Sequence, residues 1–305
     1  SRRSPGPAVG LSGRRWNTVA QSTSSPVSEN TPRCMNRLQR KQLLMGTLIG
    51  TVLQNRWIPH KPTLKQARFL MRPEREALYG GAAGSGKSDC LLMGALQYAD
   101  VPGYAALLLR RTYADLALPG ALMDRAAEWL QGTAAKWSEK EKTWTFPSGA
   151  TVTFGYLESE NDKYRYQSAE FQFIGFDELT QFTETQYRYL FSRLRRLAGV
   201  DVPLRMRAAS NPGGIGHEWV KRRFIDEGEQ HGRPFVSARL EDNPHLDIAE
   251  YEESLAKLDP VTRRQLRYGD WSVQPAGNMF KREWFEIVQA VPYDARSVRY
   301  WDLAA

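Results

Sequence analysis

The sequence of 305 residues lacks the features that define several classes of protein. It has no run of about 18 consecutive apolar residues, the length that a membrane-spanning helix requires. Its only two cysteines, Cys34 and Cys90, cannot form a disulfide framework and do not have the spacing of zinc ligands. These absences exclude a helical membrane protein and a disulfide-rich secreted domain, so a reduced, cytosolic protein is expected.

Acidic residues are nearly absent from the beginning of the chain. Residues 1–60 contain nine lysine and arginine residues but only one acid, Glu29. The other 245 residues contain 33 basic and 33 acidic residues, so the net charge of +8 lies entirely in the N-terminal part. The high isoelectric point therefore says nothing about the partners of the remaining chain, because its charges are balanced.

Large apolar side chains are scarce in residues 1–33, which are rich in Ser, Pro, Gly, Thr and Arg, a composition typical of disordered segments. After Met35, basic residues precede the apolar run 43–53, as in a signal peptide, but no small-x-small cleavage site follows. A short amphipathic helix, or an extension outside the native reading frame, explains this run better than a signal peptide does. We therefore predict a disordered basic extension over residues 1–58.

From about residue 59, short apolar strands alternate with helices, which is the pattern of a mainly parallel α/β sheet. Residues 144–146 and 152–154 alternate in polarity around a turn that contains glycine, so they are expected to form a β-hairpin. The predicted strands are 76–79, 105–109, 144–146, 152–154, 171–176, 204–210 and 296–301, and the predicted helices are 62–71, 89–98, 116–131, 186–197 and 249–268.

Residues 81–88 fit the phosphate-binding P-loop pattern G-x-x-x-x-G-K-[ST]. Glycines let backbone N–H groups curl around phosphate oxygens, and the following helix directs its positive end at the same phosphates. Lys87 is expected to reach the β- and γ-phosphates, and the Ser88 hydroxyl to ligate magnesium. A strand before and a buried helix after favour this interpretation over a simple glycine-rich turn. The predicted ATP-binding loop comprises Gly81, Ala82, Ala83, Gly84, Ser85, Gly86, Lys87 and Ser88.

A second apolar strand ends in two acids, Asp177 and Glu178, as in a Walker B motif. Asp177 is expected to hold magnesium through water, and Glu178 to orient and polarise the attacking water. Alone, two acids after a strand are a weak signal, since many such pairs are solvated strand ends, but the upstream P-loop makes the signal strong. The adjacent glutamate favours a P-loop NTPase of the additional-strand, catalytic-glutamate type over a GTPase-like switch.

Six further positions are weaker candidates. Ser210 and Asn211 end another strand, where a polar pair in motor ATPases senses the γ-phosphate and couples hydrolysis to movement, although turn chemistry alone would also explain them. Gln66 can pair with both edges of the adenine amidine, whereas a solvated helical glutamine is the ordinary interpretation. The candidates to neutralise transition-state charge, each of which could also be a solvated arginine, are Arg110, Arg111 and Arg165.

Together, these motifs resemble the large terminase subunit of tailed bacteriophages, the motor and nuclease that packages viral DNA. The resemblance rests on residue 66 and on the blocks 77–88, 109–113, 173–182, 210–214, 242–246, 269–271 and 300–304. It implies a P-loop ATPase core over 59–214, a small linker subdomain over 215–275 and the first strand of a truncated RNase H-like nuclease domain over 276–305.

The resemblance also implies roles for individual residues and partners. Asp302 matches the first metal-binding carboxylate of the nuclease; the chain stops three residues later, and both of its ends are expected to be ends of a fragment. Arg165 is nearest to the arginine that acts across subunits. The implied cofactors are ATP and Mg²⁺. The implied partners are double-stranded DNA, the small terminase subunit and the portal of the procapsid, with a homo-oligomeric ring, no membrane and a location in the host cytoplasm.

The resulting prediction is a DNA-packaging ATPase that hydrolyses ATP to move double-stranded DNA into a procapsid. In the full-length protein, a metal-dependent endonuclease would also cut the DNA concatemer. A helicase-like translocase is an alternative, but it would need a second RecA-like domain after about residue 280. A non-catalytic nucleotide-binding or scaffold protein is another, but it would not need intact Lys87, Ser88, Asp177 and Glu178.

Overall fold

The computed structural model describes residue 42, residues 45–196 and 199–273, and the single residues 284, 293 and 296. The chain divides into two compact units, residues 1–42 and 43–305, and nearly all described residues belong to the second. That unit is an α/β structure built on one sheet. Within the described part of the chain, no helix has the length and apolar character needed to cross a membrane.

The sheet of the described residues has eight strands in the order β3-β4-β5-β2-β6-β7-β1-β8. Neighbouring strands are parallel from β5 to β8, whereas β3, β4 and β5 pair antiparallel. The strands are β1 (Glu76–Gly81), β2 (Ala105–Arg110), β3 (Lys136–Ser138), β4 (Thr143–Thr145), β5 (Thr151–Tyr156), β6 (Phe173–Asp177), β7 (Arg205–Ser210) and β8 (Phe235–Ala238). The predictions of a mainly parallel sheet and of the β4–β5 hairpin are confirmed.

Helices pack on both faces of this sheet, and the last two helices form a separate small cluster around Ala82. The helices are α1 (Leu64–Leu70), α2 (Lys87–Leu96), α3 (Tyr113–Ala117), α4 (Leu122–Leu130), α5 (Glu184–Phe191), α6 (His217–Val220), α7 (Ile248–Ala256) and α8 (Pro260–Tyr268). Alternate residues of a strand point to opposite faces, so Leu108 of β2 packs in the core that contains α2, and Leu107 and Leu109 pack in the core that contains α5. Parallel strands covered on both faces read as continuous apolar runs, which is why β2 and β6 could be predicted from the sequence.

The prediction of a disordered extension over residues 1–58 is wrong for residues 45–58. Residues 45–53 are helical, and the short amphipathic helix considered for this segment is present. The helix forms because Leu48 and Val52, four residues apart, bury one face against the core, and Trp57 and Ile58 are buried after it. Residues 1–41 of the predicted extension lie outside the described residues.

Two predicted helices are each divided by a turn. The segment 116–131 holds the end of α3 and the whole of α4, which are separated at Pro119 and Gly120, because proline cannot continue a helix and Gly120 has a φ of 74°. The segment 249–268 holds α7 and α8, and Pro260 begins the second of them. Strand β8 was not predicted; it lies within the range assigned to a linker subdomain and pairs with β1. The domain boundaries stay predictions, and the predicted strand 296–301 lies outside the described residues except for Arg296.

Candidate nucleotide-binding site

The P-loop connects the end of β1 to the beginning of α2, as the sequence predicts. Gly81, the last residue of β1, has a φ of 139°, and a Cβ atom there would lie 2.2 Å from the carbonyl oxygen of Ala238 in β8. Only glycine therefore allows β8 to pair at this point while the chain turns into the loop. The loop is thus set by the packing of two strands as well as by its own glycines.

Lys87 is the buried cation of this loop. Its ammonium group donates hydrogen bonds to the carbonyl oxygen of Ala82 and to the Oγ atom of Ser85, the latter at 3.1 Å. Burial lowers the pKa of Lys87 to about 8, and the nearby carboxylates of Asp177 and Glu178 oppose that shift. A phosphate group that neutralised the buried ammonium would therefore be bound strongly.

Ser88 and Asp177 join the P-loop to the end of β6. The Ser88 hydroxyl donates to Oδ1 of Asp177 at 2.9 Å, and Asp177 is buried. Hydroxyl and carboxylate oxygens are the hard donors that Mg²⁺ prefers. No group of three or more His, Cys, Asp or Glu side chains that could hold a metal occurs in the described ranges.

Glu178 has a strained backbone and a firmly held side chain. Its φ of 57° lies in the left-handed region, which residues other than glycine adopt at a cost of about 1–3 kcal/mol. Arg110, at the end of β2, donates to Oε1 of Glu178 at 3.0 Å and to Oδ2 of Asp177 at 2.9 Å. Gln181 donates to the other carboxylate oxygen of Glu178. Burial raises the pKa of Glu178, and Arg110 opposes the shift.

Ser210 and Asn211 lie at the end of β7, beside the residues that follow Glu178. The backbone N–H of Thr180 donates to Oγ of Ser210 at 3.1 Å, and the hydroxyl of Thr180 donates to the carbonyl oxygen of Asn211 at 3.2 Å. Oδ1 of Asn211 is buried without a hydrogen-bond partner among the described residues. A displacement of the backbone after Glu178 would therefore alter the hydrogen bonds that Thr180 makes with Ser210 and Asn211.

Residues 83–88 of the P-loop, the acids Asp177 and Glu178, and the pair Ser210 and Asn211 line one polar cavity of about 410 Å³, which we call the phosphate cavity. A second cavity, of about 320 Å³, adjoins it and is called the base cavity. The phosphate cavity is lined by residues 83–89, Gly120, Arg125, Asp177, Glu178, Ser210, Asn211, Asn243 and Leu246, and the base cavity by His60, Lys61, Thr63, Gln66, Ser85, Gly86, Asp89, Arg125, Glu128, Trp129, Asn243 and His245. The structure thus brings the predicted loop, acids and polar pair together.

Gln66 lines the base cavity, but its amide already has partners. Its oxygen accepts the backbone N–H of Thr63 at 2.8 Å, and its nitrogen donates to the carbonyl oxygen of Gly86 at 2.8 Å. Gln66 therefore completes the N-terminal cap of α1 and is hydrogen-bonded to the backbone of the P-loop at Gly86. The amide oxygen can accept one further hydrogen bond and the amide nitrogen can donate one more, so contact with a base stays a prediction.

Two predicted arginines lie away from the phosphate cavity. Arg111 donates to the carbonyl oxygen of Leu157 at 3.1 Å. Arg165 is half exposed, pairs with Asp162 at 3.1 Å and lies over the ring of Tyr156, 4.4 Å from its centroid. Neither belongs to the lining of either cavity, so neither touches a ligand bound there by the same chain. Asp302 lies outside the described residues.

Arg125 and Asn243 were not singled out from the sequence. Asn243 donates to the carbonyl oxygen of Gly84 in the P-loop at 2.7 Å. The block 242–246 contributed to the resemblance, which could have indicated Asn243. Arg125 has no comparable signal, because an arginine on a helix usually indicates a solvated face.

The last turn of α8 and the glycine that follows it pack directly on the P-loop. The backbone N–H of Ala83 donates to the carbonyl oxygen of Leu266 at 2.8 Å. A Cβ atom at Gly269 would lie 2.5 Å from Cα of Gly81. Because the close contact is with backbone, no side-chain rotation could relieve it.

We expect Gly269→Ala to lower the free energy of unfolding by about 1–3 kcal/mol more than Gly232→Ala does. Gly232 is the matched control, since its φ of 63° equals that of Gly269, 64°, within a degree, and a Cβ atom there meets nothing within 4 Å. Chemical denaturation of both variants measures the difference. Equal losses would show that backbone strain alone, and not contact with the P-loop, requires glycine at 269.

Comparison with known proteins gives one family and several similar structures. The family model for large terminase subunits of the T4-like virus type, N-terminal part, matches residues 78–287. A sequence comparison with curated proteins finds no match.

The similar structures include the large terminase of a thermophilic bacteriophage, with a TM-score of 0.59, 17% identity, and coverage of 73% of this chain and 57% of that one. The same terminase in complex with ATP-γ-S gives a TM-score of 0.56, 15% identity, and coverage of 69% and 53%. Its complex with ADP gives a TM-score of 0.55 and 17% identity, and covers 68% and 53%. At these identities the likeness shows the fold, so the predicted fold class is confirmed for the described sheet. This chain covers little more than half the length of these relatives.

Proposed function

The chain belongs to the family of T4-like large terminase subunits, whose N-terminal part it matches, and from this we propose that it is the ATPase of a viral DNA-packaging motor. One observation carries the proposal: Lys87 and Ser88 of the P-loop share a polar cavity with Asp177 and Glu178. A chain that only bound a nucleotide would not need a held carboxylate beside the phosphate site.

The proposed substrate is ATP, bound across both cavities. Its phosphates would lie in the phosphate cavity, where the P-loop and Lys87 supply N–H groups and a buried positive charge. Its adenine would lie in the base cavity, which Trp129 and Gln66 help to line. The names of the similar terminase structures, which include ATP-γ-S and ADP, support this choice of nucleotide.

The proposed reaction is hydrolysis of the terminal phosphate bond, which yields ADP and inorganic phosphate. Glu178 would accept a proton from the attacking water as the water adds to the γ-phosphorus. Arg110 and Gln181 would fix the direction of the carboxylate, since they hold its two oxygens separately. Ser88 and Asp177 would hold Mg²⁺, which neutralises phosphate charge when bound.

Ser210 and Asn211 are proposed to couple hydrolysis to DNA movement. Thr180 connects them to Glu178 in the chain, and its carbonyl oxygen accepts the backbone N–H of Gly216 at 2.6 Å. A displacement at the γ-phosphate could pass through Thr180 to the loop before α6. Arg165 is proposed to act on the nucleotide of a neighbouring subunit in a ring, because it is nearest to the arginine that acts across subunits in the family and its side chain is half exposed.

The finer parts of the proposal concern partners and the second activity. We propose double-stranded DNA, the small terminase subunit and the portal of the procapsid as partners, in the cytoplasm of the host cell. Membership of the large terminase family supports this choice of partners. A metal-dependent endonuclease in the full-length protein, with Asp302 as its first ligand, is proposed on the resemblance alone.

The test is a steady-state ATPase assay without DNA, with double-stranded DNA and with single-stranded DNA. The wild-type chain is expected to hydrolyse ATP, and Lys87→Ala to weaken ATP binding by about 10–100-fold, because a charge-assisted contact with the phosphates is lost. The exposed Lys140→Ala is the control and should bind ATP as wild type does.

Three other outcomes would contradict the proposal. ATP binding without turnover would favour a non-catalytic nucleotide-binding protein. Stimulation by single-stranded but not by double-stranded DNA would favour a helicase-like translocase. If Lys87→Ala bound ATP as tightly as wild type, residues 81–88 would not be the ATP-binding loop.

A further inference from the structure

Arg125 occupies the place where the phosphate cavity and the base cavity meet. It lies on α4 and belongs to the lining of both cavities. Four other residues are shared by the two linings, and none of them is a cation: Ser85, Gly86, Asp89 and Asn243. A nucleotide that extends from one cavity into the other must therefore pass the guanidinium group of Arg125.

Asp89 holds the guanidinium group in one orientation, and only one of its three nitrogen atoms has a partner among the described residues. Its Nη1 atom contacts both carboxylate oxygens of Asp89, at 3.0 and 3.1 Å, and Asp89 lies in the first turn of α2, directly after the P-loop. In the part of the chain that the structure describes, Nε and Nη2 of Arg125 have no hydrogen-bond acceptor. One edge of the planar fork is thus fixed by Asp89 and the other can receive an acceptor.

Arg125 is expected to contribute little to the stability of the fold. The side chain of Arg125 is 35% exposed and its pair with Asp89 is a partly solvated ion pair, a class of contact that contributes little to stability. The helix α4 is already anchored by the burial of Leu122, Ala126 and Leu130. Loss of the guanidinium group should therefore leave the fold intact.

We propose that Arg125 binds the α-phosphate of the nucleotide, through the N–H groups that Asp89 leaves available. The proposal rests on the proposed function, because it assumes that phosphates lie at the P-loop and the base in the adjoining cavity. In that arrangement the β- and γ-phosphates belong to Lys87 and the P-loop, and the α-phosphate reaches the junction of the cavities. Guanidinium groups bind phosphate oxygens with strong, charge-assisted hydrogen bonds.

The experiment measures the dissociation constants of ADP and ATP for wild type, Arg125→Ala, Arg125→Lys and the control Arg188→Ala. Arg188 also pairs with an acid, Glu184 at 3.3 Å, but lies outside both cavities. Arg125→Ala should raise both constants by about 10–100-fold and by equal factors, because both nucleotides carry the α-phosphate. Arg125→Lys should restore part of the loss, and Arg188→Ala should match wild type.

Two results would overturn the proposal. Dissociation constants of Arg125→Ala within about twofold of wild type would show that Arg125 does not contact the nucleotide. A loss for ATP but not for ADP would assign the contact to the γ-phosphate instead. Failure of the proposed function is distinguishable, since wild type would then bind neither nucleotide, or Lys87→Ala would bind both as wild type does.

Discussion

Glu178→Gln is expected to lower the rate of ATP turnover by about 10²–10⁴-fold, the range that a positioned general base contributes. An amide cannot take the proton of the attacking water, whereas it keeps the size of the carboxyl group and can still accept the hydrogen bond from Arg110. Lys87, Ser88 and Asp177 are unchanged, so the affinity for ATP should remain within about threefold of wild type. Steady-state turnover and equilibrium binding of ATP measure the two effects separately.

Glu253→Gln is the matched control for this substitution, because Glu253 is an exposed glutamate of α7 outside both cavities. It should hydrolyse ATP at the wild-type rate. Wild-type turnover by Glu178→Gln would show that another group accepts the proton. A loss of ATP affinity as large as the loss of turnover would instead assign Glu178 to binding.

The sequence predicted the centre of the site because its signals are local and the sheet is parallel. The P-loop, the two acids and the polar pair lie at the ends of β1, β6 and β7, respectively. The carboxyl ends of parallel strands meet at one edge of a sheet, so three separate strand ends predict one site. The structure places these groups around one cavity, and their chemical roles stay predictions.

The contacts between segments could not be predicted in the same way. Arg110 ends β2, but its pairing with both acids depends on β2 lying next to β6, which is a property of the strand order. Arg125 and Asn243 reach the site from a helix and a loop with no phosphate-binding pattern of their own. For all three, the sequence gives the residue type and the tertiary structure gives the partner.

The missed strands are those with the least sequence pattern. β3 has three residues and β8 has four, too few for alternation to be distinguished from a turn. β8 forms because residues 78–81 of β1 pair with it, and this pairing makes β8 the edge strand of the sheet. The segment 45–58 was missed for a different reason, because its basic flank suggested an extension while its apolar residues supply part of the core.

Trp57→Ala is expected to lower the free energy of unfolding by about 3–5 kcal/mol, the range for removal of a buried tryptophan side chain. Trp57 is 2% exposed and packs edge-on against Phe146, with ring centroids 4.9 Å apart. Its indole N–H also donates to Asp100 at 3.0 Å. Urea denaturation measures the change, and Trp57→Phe separates the loss of packing from the loss of this hydrogen bond.

The control for this prediction is Leu53→Ala, four residues earlier, because Leu53 is 43% exposed. An exposed substitution usually changes the free energy of unfolding by less than about 0.5 kcal/mol. A loss below about 1 kcal/mol for Trp57→Ala would return residues 45–58 to the dispensable extension that their basic flank suggested. A loss in the expected range, with Leu53→Ala neutral, would make this segment part of the folded core, since Phe146 belongs to the turn between β4 and β5.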